Sequence, residues 1–364
     1  IRTEYPNKVL TVEKLMVYEG LKKIEVTSAQ NPEIVAFCGV DEVKIGDTIS
    51  DPSDTEALTG VSVGEPTIHM SIGPNTSPFA GREGTYVTSR QIEERLEKEL
   101  EHNLSLRLAK QGNGKYIVSG RGELHLSILL ETMRREGYEM EVGKPEVITK
   151  IVEGEKQEPV EEVYVLVPQE FVGVITEEFG KRAGKLIEMT PNDKGEVEFV
   201  YNIPTRSLIG LRSFLLTATK GTVVYNSVLL GFEKAGKPLS KMRQGALIAS
   251  EGGNSLAYGL EIAQERGITF IEPGVAVYEG MIIGLNSRDD DIAINVCKGK
   301  KLTNMRSKSS DGVVMLTPAT VLSLEQSIDF LEGDELLEIT PKSLRLRKKY
   351  LSDLDRRRSI RATS

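Results

Sequence analysis

Two glycine-rich segments come nearest to a catalytic signature. Gly231-Phe232-Glu233-Lys234-Ala235-Gly236-Lys237-Pro238 nearly spells a P-loop, in which glycines cradle phosphates and a closing Ser or Thr hydroxyl holds magnesium at the start of a helix. Pro238 has no hydroxyl and no helical pattern follows it, so the match is one of chance. Gly120-Arg121-Gly122-Glu123-Leu124-His125 falls short of a dinucleotide fingerprint because His125 stands in the third glycine's place. Its two glycines suit a tight turn from a strand into a helix. His69, His102 and His125 show no metal-ligand spacing. No Ser sits in a nucleophile elbow. Asp289-Asp290-Asp291 lacks the following glycine and distal Glu of a calcium loop and reads as a solvated turn. These residues define no active site.

Cations carry the stronger signal. Cys297-Lys298-Gly299-Lys300-Lys301-Leu302-Thr303-Asn304-Met305-Arg306-Ser307-Lys308 holds five cations and no acid. The residues from Lys342 to the end add nine more against Asp353 and Asp355. Together these stretches carry +12 on a chain whose net charge is −8, so the remainder carries −20. Concentrated positive charge on an acidic body is the footprint of a polyanion binder, nucleic acid above all. In the first stretch the cations alternate with small or hydrogen-bonding residues suited to phosphate and ribose. Candidate RNA-contacting residues are therefore Lys298, Lys300, Lys301, Asn304, Arg306 and Lys308, with Arg345, Arg347, Lys348, Lys349, Arg356, Arg357 and Arg358 in the tail. Arg345 and Arg347 alternate with Leu344 and Leu346, so one strand face can be core and the other cationic. Lys181 and Arg182 form a smaller patch at a helix end, where the helix dipole explains them equally well.

The totals narrow the class. With 364 residues the chain accommodates two to four domains. No apolar run approaches the length of a membrane span. The absence of Trp and the 5% aromatic content disfavour a base-stacking platform. Cys38 and Cys297, the only cysteines, are far apart, which indicates neither a disulfide framework nor a zinc site and fits a reducing compartment. The opening Ile1-Arg2-Thr3-Glu4-Tyr5-Pro6 lacks an initiator Met and a signal pattern, and reads as the interior of a longer protein.

The expected elements are these. Short strands at 9–12, 23–27, 34–37 and 45–49, punctuated by Gly20, Gly39 and Gly46, suggest part of a β-barrel over residues 1–63. Residues 64–150 read βαββαβ: a strand at 67–72, a helix capped by Thr88 and Gln91, strands at 105–108 and 116–119, a helix at 121–136 with Leu124, Ile128 and Leu129 inward, and a closing strand from Tyr138. After a polar linker at 152–159 the same order repeats over 157–231. Residues 232–364 read as short strands, among them 257–260 and 313–316, with one helix capped by Ser323 and Gln326. The fold class is α+β and multidomain: a partial β-barrel, two tandem ferredoxin-like split-βαβ domains and a mostly β C-terminal domain with one helix.

Several of these segments resemble one known family. Asn75-Thr76-Ser77-Pro78-Phe79-Ala80-Gly81-Arg82-Glu83-Gly84, Val118-Ser119-Gly120-Arg121-Gly122-Glu123-Leu124-His125-Leu126 and Met133-Arg134-Arg135-Glu136-Gly137 are similar to the BipA/TypA family of ribosome-associated translational GTPases. So are Ser207-Leu208-Ile209-Gly210-Leu211-Arg212, Val277-Tyr278-Glu279-Gly280 and Gly299-Lys300-Lys301-Leu302-Thr303-Asn304-Met305-Arg306. The Ser-Gly-Arg-Gly-Glu-Leu-His segment also occurs in elongation factor G; the last segment is specific to the family. Ser207 departs from the pattern, which expects glycine there.

The resemblance implies a remnant of a second-domain barrel (1–63), domains like the third and fifth of elongation factor G (64–150 and 157–231) and a family-specific C-terminal domain (232–364). It implies that GTP and magnesium belong to a GTPase domain absent from this sequence, with no cofactor and no catalysis here. The implied partners are the ribosome, through rRNA, ribosomal proteins and aminoacyl-site tRNA, and the implied role is in stress adaptation and large-subunit assembly. A cytoplasmic monomer without membrane contact is expected. The alternatives are a small-molecule-binding regulatory or metabolic protein built on the paired ferredoxin-like domains, and a protein-interaction module using the acidic helix around Glu325, Asp329 and Glu332.

Overall fold

The computed structural model describes residues 11–40, 43, 45–51, 53, 58, 64–237, 243–299 and 315–363. Two compact units divide the chain, one of residues 1–64 and 98–105, the other of 65–97 and 106–364. In the first unit, strands β1 (Lys14–Glu19), β2 (Lys22–Val26) and β3 (Val35–Cys38) form an antiparallel sheet in the order β2-β1-β3. Gly20 closes the β1–β2 hairpin at φ 62°, a conformation glycine reaches without a Cβ clash. β1 was not anticipated. Of the strands expected at 9–12 and 45–49, residues 11, 12 and 45–49 are not strand, and 9 and 10 lie outside the described residues. Among the described residues the sheet does not close into a barrel.

Next comes βαββαβ: β4 (Ile68–Pro74), α1 (Ser89–His102), β5 (Arg107–Gly112), β6 (Lys115–Gly120), α2 (Glu123–Arg135) and β7 (Met140–Gly143). The strands pair antiparallel in the order β5-β6-β4-β7, the split-βαβ arrangement. At the start of α1 the Thr88 hydroxyl accepts the Gln91 N–H at 3.3 Å, and the Gln91 amide oxygen accepts the Thr88 N–H at 3.1 Å. Leu126, Leu129, Leu130 and Met133 of α2 are buried, as are Met70, Ile72, Val118 and Val142 of the sheet. Leu124 and Ile128, expected to point inward, are instead 46% and 58% exposed. Apolar residues occupy 124, 126, 128, 129 and 130, so the helix is apolar nearly all round and its period could not choose the buried face.

Strands β8 (Glu146–Val147) and β9 (Lys150–Val152) lead into the second copy: β10 (Glu155–Pro168), α3 (Val172–Lys181), β11 (Lys185–Pro191), β12 (Glu196–Pro204), α4 (Leu211–Ala218) and β13 (Val224–Lys234). The order β11-β12-β10-β13 repeats the first topology. Val163, Val165, Val167, Phe199 and Tyr201 form one core with Ile175, Phe179, Leu211 and Leu215. The segment expected as a polar linker is a hairpin, since β9 pairs with the start of β10.

The remainder comprises β14 (Ala246–Ala249), β15 (Gly253–Asn254), α5 (Ala257–Gln264), β16 (Gly267–Thr269), β17 (Ala276–Val277), β18 (Ile282–Asn286), β19 (Ile292–Ile294), α6 (Leu324–Phe330), β20 (Glu335–Ile339), β21 (Leu344–Lys348) and α7 (Asp353–Thr363). The order β16-β18-β14-β19 forms one sheet and β15-β17 a second. Residues 257–260 are helical rather than strand, residues 315 and 316 have no regular structure, and 313 and 314 lie outside the described residues. Among the described residues three helices occur where one was expected. α6 carries its capping box from Ser323 and Gln326. Strands β20 and β21 extend the first ferredoxin-like sheet to the order β21-β20-β7-β4-β6-β5, so that sheet draws strands from both ends of the second unit. Among the described residues no helix is long and apolar enough to cross a membrane.

Candidate nucleic-acid interface

The tail cations divide into those spent inside the fold and those left at the surface. β7 alternates, with Met140 and Val142 buried in the core and Glu141 on the opposite face. β21 lies two strands away, and Glu338 of β20 sits in register with both Glu141 and Arg345. Arg347 pairs with Glu141 at 2.6 Å and donates to the Thr76 hydroxyl at 2.7 Å. Burial alone would raise the Glu141 carboxyl's pKa, but Arg347, Thr76 and Lys115 hold it below the usual range. Arg345 pairs with Glu338 at 2.8 Å and with Glu83, and these carboxylates raise its pKa although burial opposes the charge. Lys348 is 2% exposed and meets Asp291, Asp334 and Glu335 at 2.6, 2.9 and 2.8 Å. Burial disfavours its charge, yet those three acids push it up to about 12.

The expectation that Arg345, Arg347 and Lys348 contact RNA is therefore corrected. The second face of β21 is covered by acidic partners from the Asn75–Gly84 loop, β7 and β20 rather than presented to solvent. Arg182 is corrected likewise: it is buried, pairs with Glu178 at 2.6 Å and donates to the carbonyls of Ser207 and Ile209 at 2.7 and 2.8 Å. Asp289, Asp290 and Asp291 are exposed, as expected of a solvated turn, and Asp291 in addition pairs with Lys348 and accepts the Ala246 N–H at 2.7 Å.

The Asn75–Gly84 segment has a structural explanation in a neighbouring carboxylate. Glu139 is fully buried and accepts from the Asn75 side chain and from the backbone N–H groups of Gly81 and Gly84 at 2.7–2.9 Å. A Cβ on Gly84 would come within 2.4 Å of the Glu139 Cβ. The loop is thus a cradle for an internal carboxylate, a role that spacing alone does not reveal.

Other candidates stay at the surface. Lys298 is exposed, and so are Lys349, Arg357, Arg358 and Lys181. Arg357 pairs with Asp353 at 2.8 Å and Lys181 with Glu177 at 2.6 Å, exposed pairs that contribute little and leave the cations accessible. Arg356 folds back to the carbonyls of Tyr350 and Leu351 and anchors the start of α7. Lys300, Lys301, Asn304, Arg306 and Lys308 lie outside the described residues.

Both stems of that basic segment are fastened to α5. On the leading side the Val296 carbonyl accepts the Leu256 N–H at 2.8 Å, and Gly259 lets α5 approach so closely that a Cβ there would stand 2.5 Å from that carbonyl. On the returning side Gln264 donates to the Thr317 carbonyl at 2.7 Å and accepts its N–H at 2.9 Å. Val296 is buried in the domain core and Leu316 packs against it. The helix that the sequence disguised as a strand is therefore the clamp at the base of the cationic segment.

α6 is no free acidic face. Glu332 pairs with Lys144 at 2.7 Å, and Asp329 hydrogen-bonds to Glu123 at the start of α2. Gly210 N–H donates to Glu123 at 3.1 Å. Burial first and Asp329 second push Glu123 up to about 9, against Gly210 and Arg182, so it is protonated at neutral pH. This glutamate joins α2, the turn before α4, and α6.

A family description titled "TypA/BipA C-terminal domain" matches residues 244–353, and "Elongation factor G C-terminus" matches 155–242. Similarity extends along the whole chain. "Large ribosomal subunit assembly factor BipA" of Haemophilus influenzae is 45% identical over 100% of this chain and 59% of its own length. The Bacillus subtilis protein of that name is 42% identical over 97% and 58%, and that of Escherichia coli 44% over 100% and 60%. Residues 244–353 belong to the TypA/BipA C-terminal domain family, and the whole chain is similar to BipA. It matches the C-terminal portion of BipA and spans about 60% of the length of these curated relatives. The clamped basic segment falls within the part matched as the TypA/BipA C-terminal domain, and β20, β21 and α5 belong to the same part.

Proposed function

We propose that this chain is the ribosome-binding portion of a translational GTPase that acts in large-subunit assembly and stress adaptation in the cytoplasm. It contributes binding and no chemistry of its own; GTP and magnesium belong to a GTPase domain of the whole protein. Lys298, Lys300, Lys301, Asn304, Arg306 and Lys308 contact rRNA and aminoacyl-site tRNA, with Lys349, Arg357, Arg358 and Lys181 as outlying phosphate contacts on a monomer. The supporting observation is the division of labour among the cations. The strand arginines neutralise internal carboxylates, while Lys298 is exposed at the start of a segment whose stems α5 holds.

The test is co-sedimentation of the chain with 70S ribosomes at rising salt. Each phosphate contacted steepens the fall of log K with log salt by roughly 0.7 to 0.9. Replacing Lys298, Lys300, Lys301 and Arg306 together by Ala abolishes pelleting at physiological salt. Unchanged pelleting of that variant refutes the reading.

A further inference from the structure

A cleft of about 710 Å³ opens in the second unit between the two ferredoxin-like domains, a volume suited to a small organic ligand. The ribosome contact proposed above makes no use of it. The two domains line it in matching fashion. The first contributes Arg121, in the turn ahead of α2, and Leu124; the second contributes Arg212 and Leu216 from α4. Both arginines are exposed, and neither has an ion-pair partner among the described residues, in a protein that pairs most of its other arginines. Both leucines are large apolar side chains left uncovered, at 46% and 40% exposure. Deeper in the cleft the Ser127 hydroxyl, on a residue 1% exposed, has no hydrogen-bond partner among the described residues. Buried hydroxyls are normally satisfied, so an orphan one lining a cavity marks a place for a ligand atom. Glu161, also buried and lining the cleft, accepts from the Thr205 hydroxyl at 2.9 Å and gives the floor an acceptor.

A ligand that satisfies this arrangement carries an anionic head, a flat or apolar body and a hydrogen-bond donor at its far end. Two guanidinium forks suit phosphate oxygens, leucine walls suit the faces of a heterocycle, and the carboxylate suits an exocyclic amine. We propose that the cleft binds a nucleotide, its phosphate between Arg121 and Arg212, its base between Leu124 and Leu216 and its amino group toward Glu161 and Ser127. The nucleotide is either free or a splayed residue of RNA. The inference stands on the cleft alone and does not depend on the basic segment.

Equilibrium dialysis of the 364-residue chain against adenosine monophosphate, ribose 5-phosphate and inorganic phosphate tests the free form, and anisotropy with a labelled single-stranded oligoribonucleotide tests the RNA form. Adenosine monophosphate is expected to bind at least ten-fold more tightly than the other two small probes. The double variant Arg121→Ala, Arg212→Ala is expected to weaken it at least ten-fold, Ser127→Ala a few-fold, and Lys194→Ala, at an exposed turn outside the cleft, not at all. If only the oligonucleotide binds, and the double arginine variant loses it, the cleft takes an RNA residue. Absence of binding in both arms overturns the proposal, as does adenosine monophosphate binding no more tightly than phosphate, or binding unaffected in the arginine variant. Any of these results would leave the co-sedimentation reading untouched.

Discussion

Ser207, in the turn before α4, and Glu123, which accepts a hydrogen bond from that turn, show what single side chains contribute. Ser207 is fully buried, and its hydroxyl has no partner among the described residues. A buried unsatisfied hydroxyl costs about 1–3 kcal/mol. Ser207→Ala removes it while keeping the carbonyl that accepts from Arg182, so the variant gains about 1 kcal/mol in urea unfolding. A variant less stable than the parent shows that the hydroxyl is satisfied. Glu123 gives a pH dependence. Its carboxyl is raised from 4.5 to about 9 in the folded chain, so the folded state keeps a proton that the unfolded state releases. Stability therefore falls as pH rises from about 4.5 to about 9. Glu123→Gln is neutral throughout and escapes that loss. Its melting temperature relative to the parent rises between pH 5 and pH 8, and an equal difference at both pH values contradicts the assignment.

Strand β21 shows how an element changes the meaning of its residues. From the alternation Leu344-Arg345-Leu346-Arg347 a core face and a cationic face follow, but not what covers the cationic one. The cover comes from Glu83, Glu141 and Glu338, the first two more than 200 residues away in sequence, and no local pattern carries that pairing. Breaking a buried pair costs more than the pair contributes, because the partner is left charged and alone. Arg347→Ala is expected to destabilise by about 3–5 kcal/mol in urea unfolding, whereas Lys349→Ala, exposed just beyond the strand, changes stability by less than about 0.5 kcal/mol. Equal effects contradict the buried network. α5 is the converse case. Its eight residues with a glycine in the middle carry a weak helical signature, and that glycine is explained only by the Val296 carbonyl packed against it.

At the scale of the whole molecule, the sheet β21-β20-β7-β4-β6-β5 couples distant stretches of sequence. Leu337 is fully buried in β20, opposite Val142 of β7 and Leu346 of β21. Leu337→Ala is expected to cost about 2–5 kcal/mol, and hydrogen exchange then accelerates in β4 and β7 together with β20. Acceleration confined to β20 and β21 shows instead that the hairpin opens independently. Sequence alone determined the α+β class, the doubled βαββαβ order, the capping boxes at Thr88 and Ser323, and the basic segment, because local periodicity, turn chemistry and charge runs are written in neighbouring residues. Only the tertiary structure decided which face of α2 is buried, which cations are consumed by carboxylates, that α5 clamps the basic segment and that a cleft lined by Arg121 and Arg212 lies between the domains. Those outcomes depend on partners brought together from far along the chain, and a charge shows its use only when its neighbour in space is known.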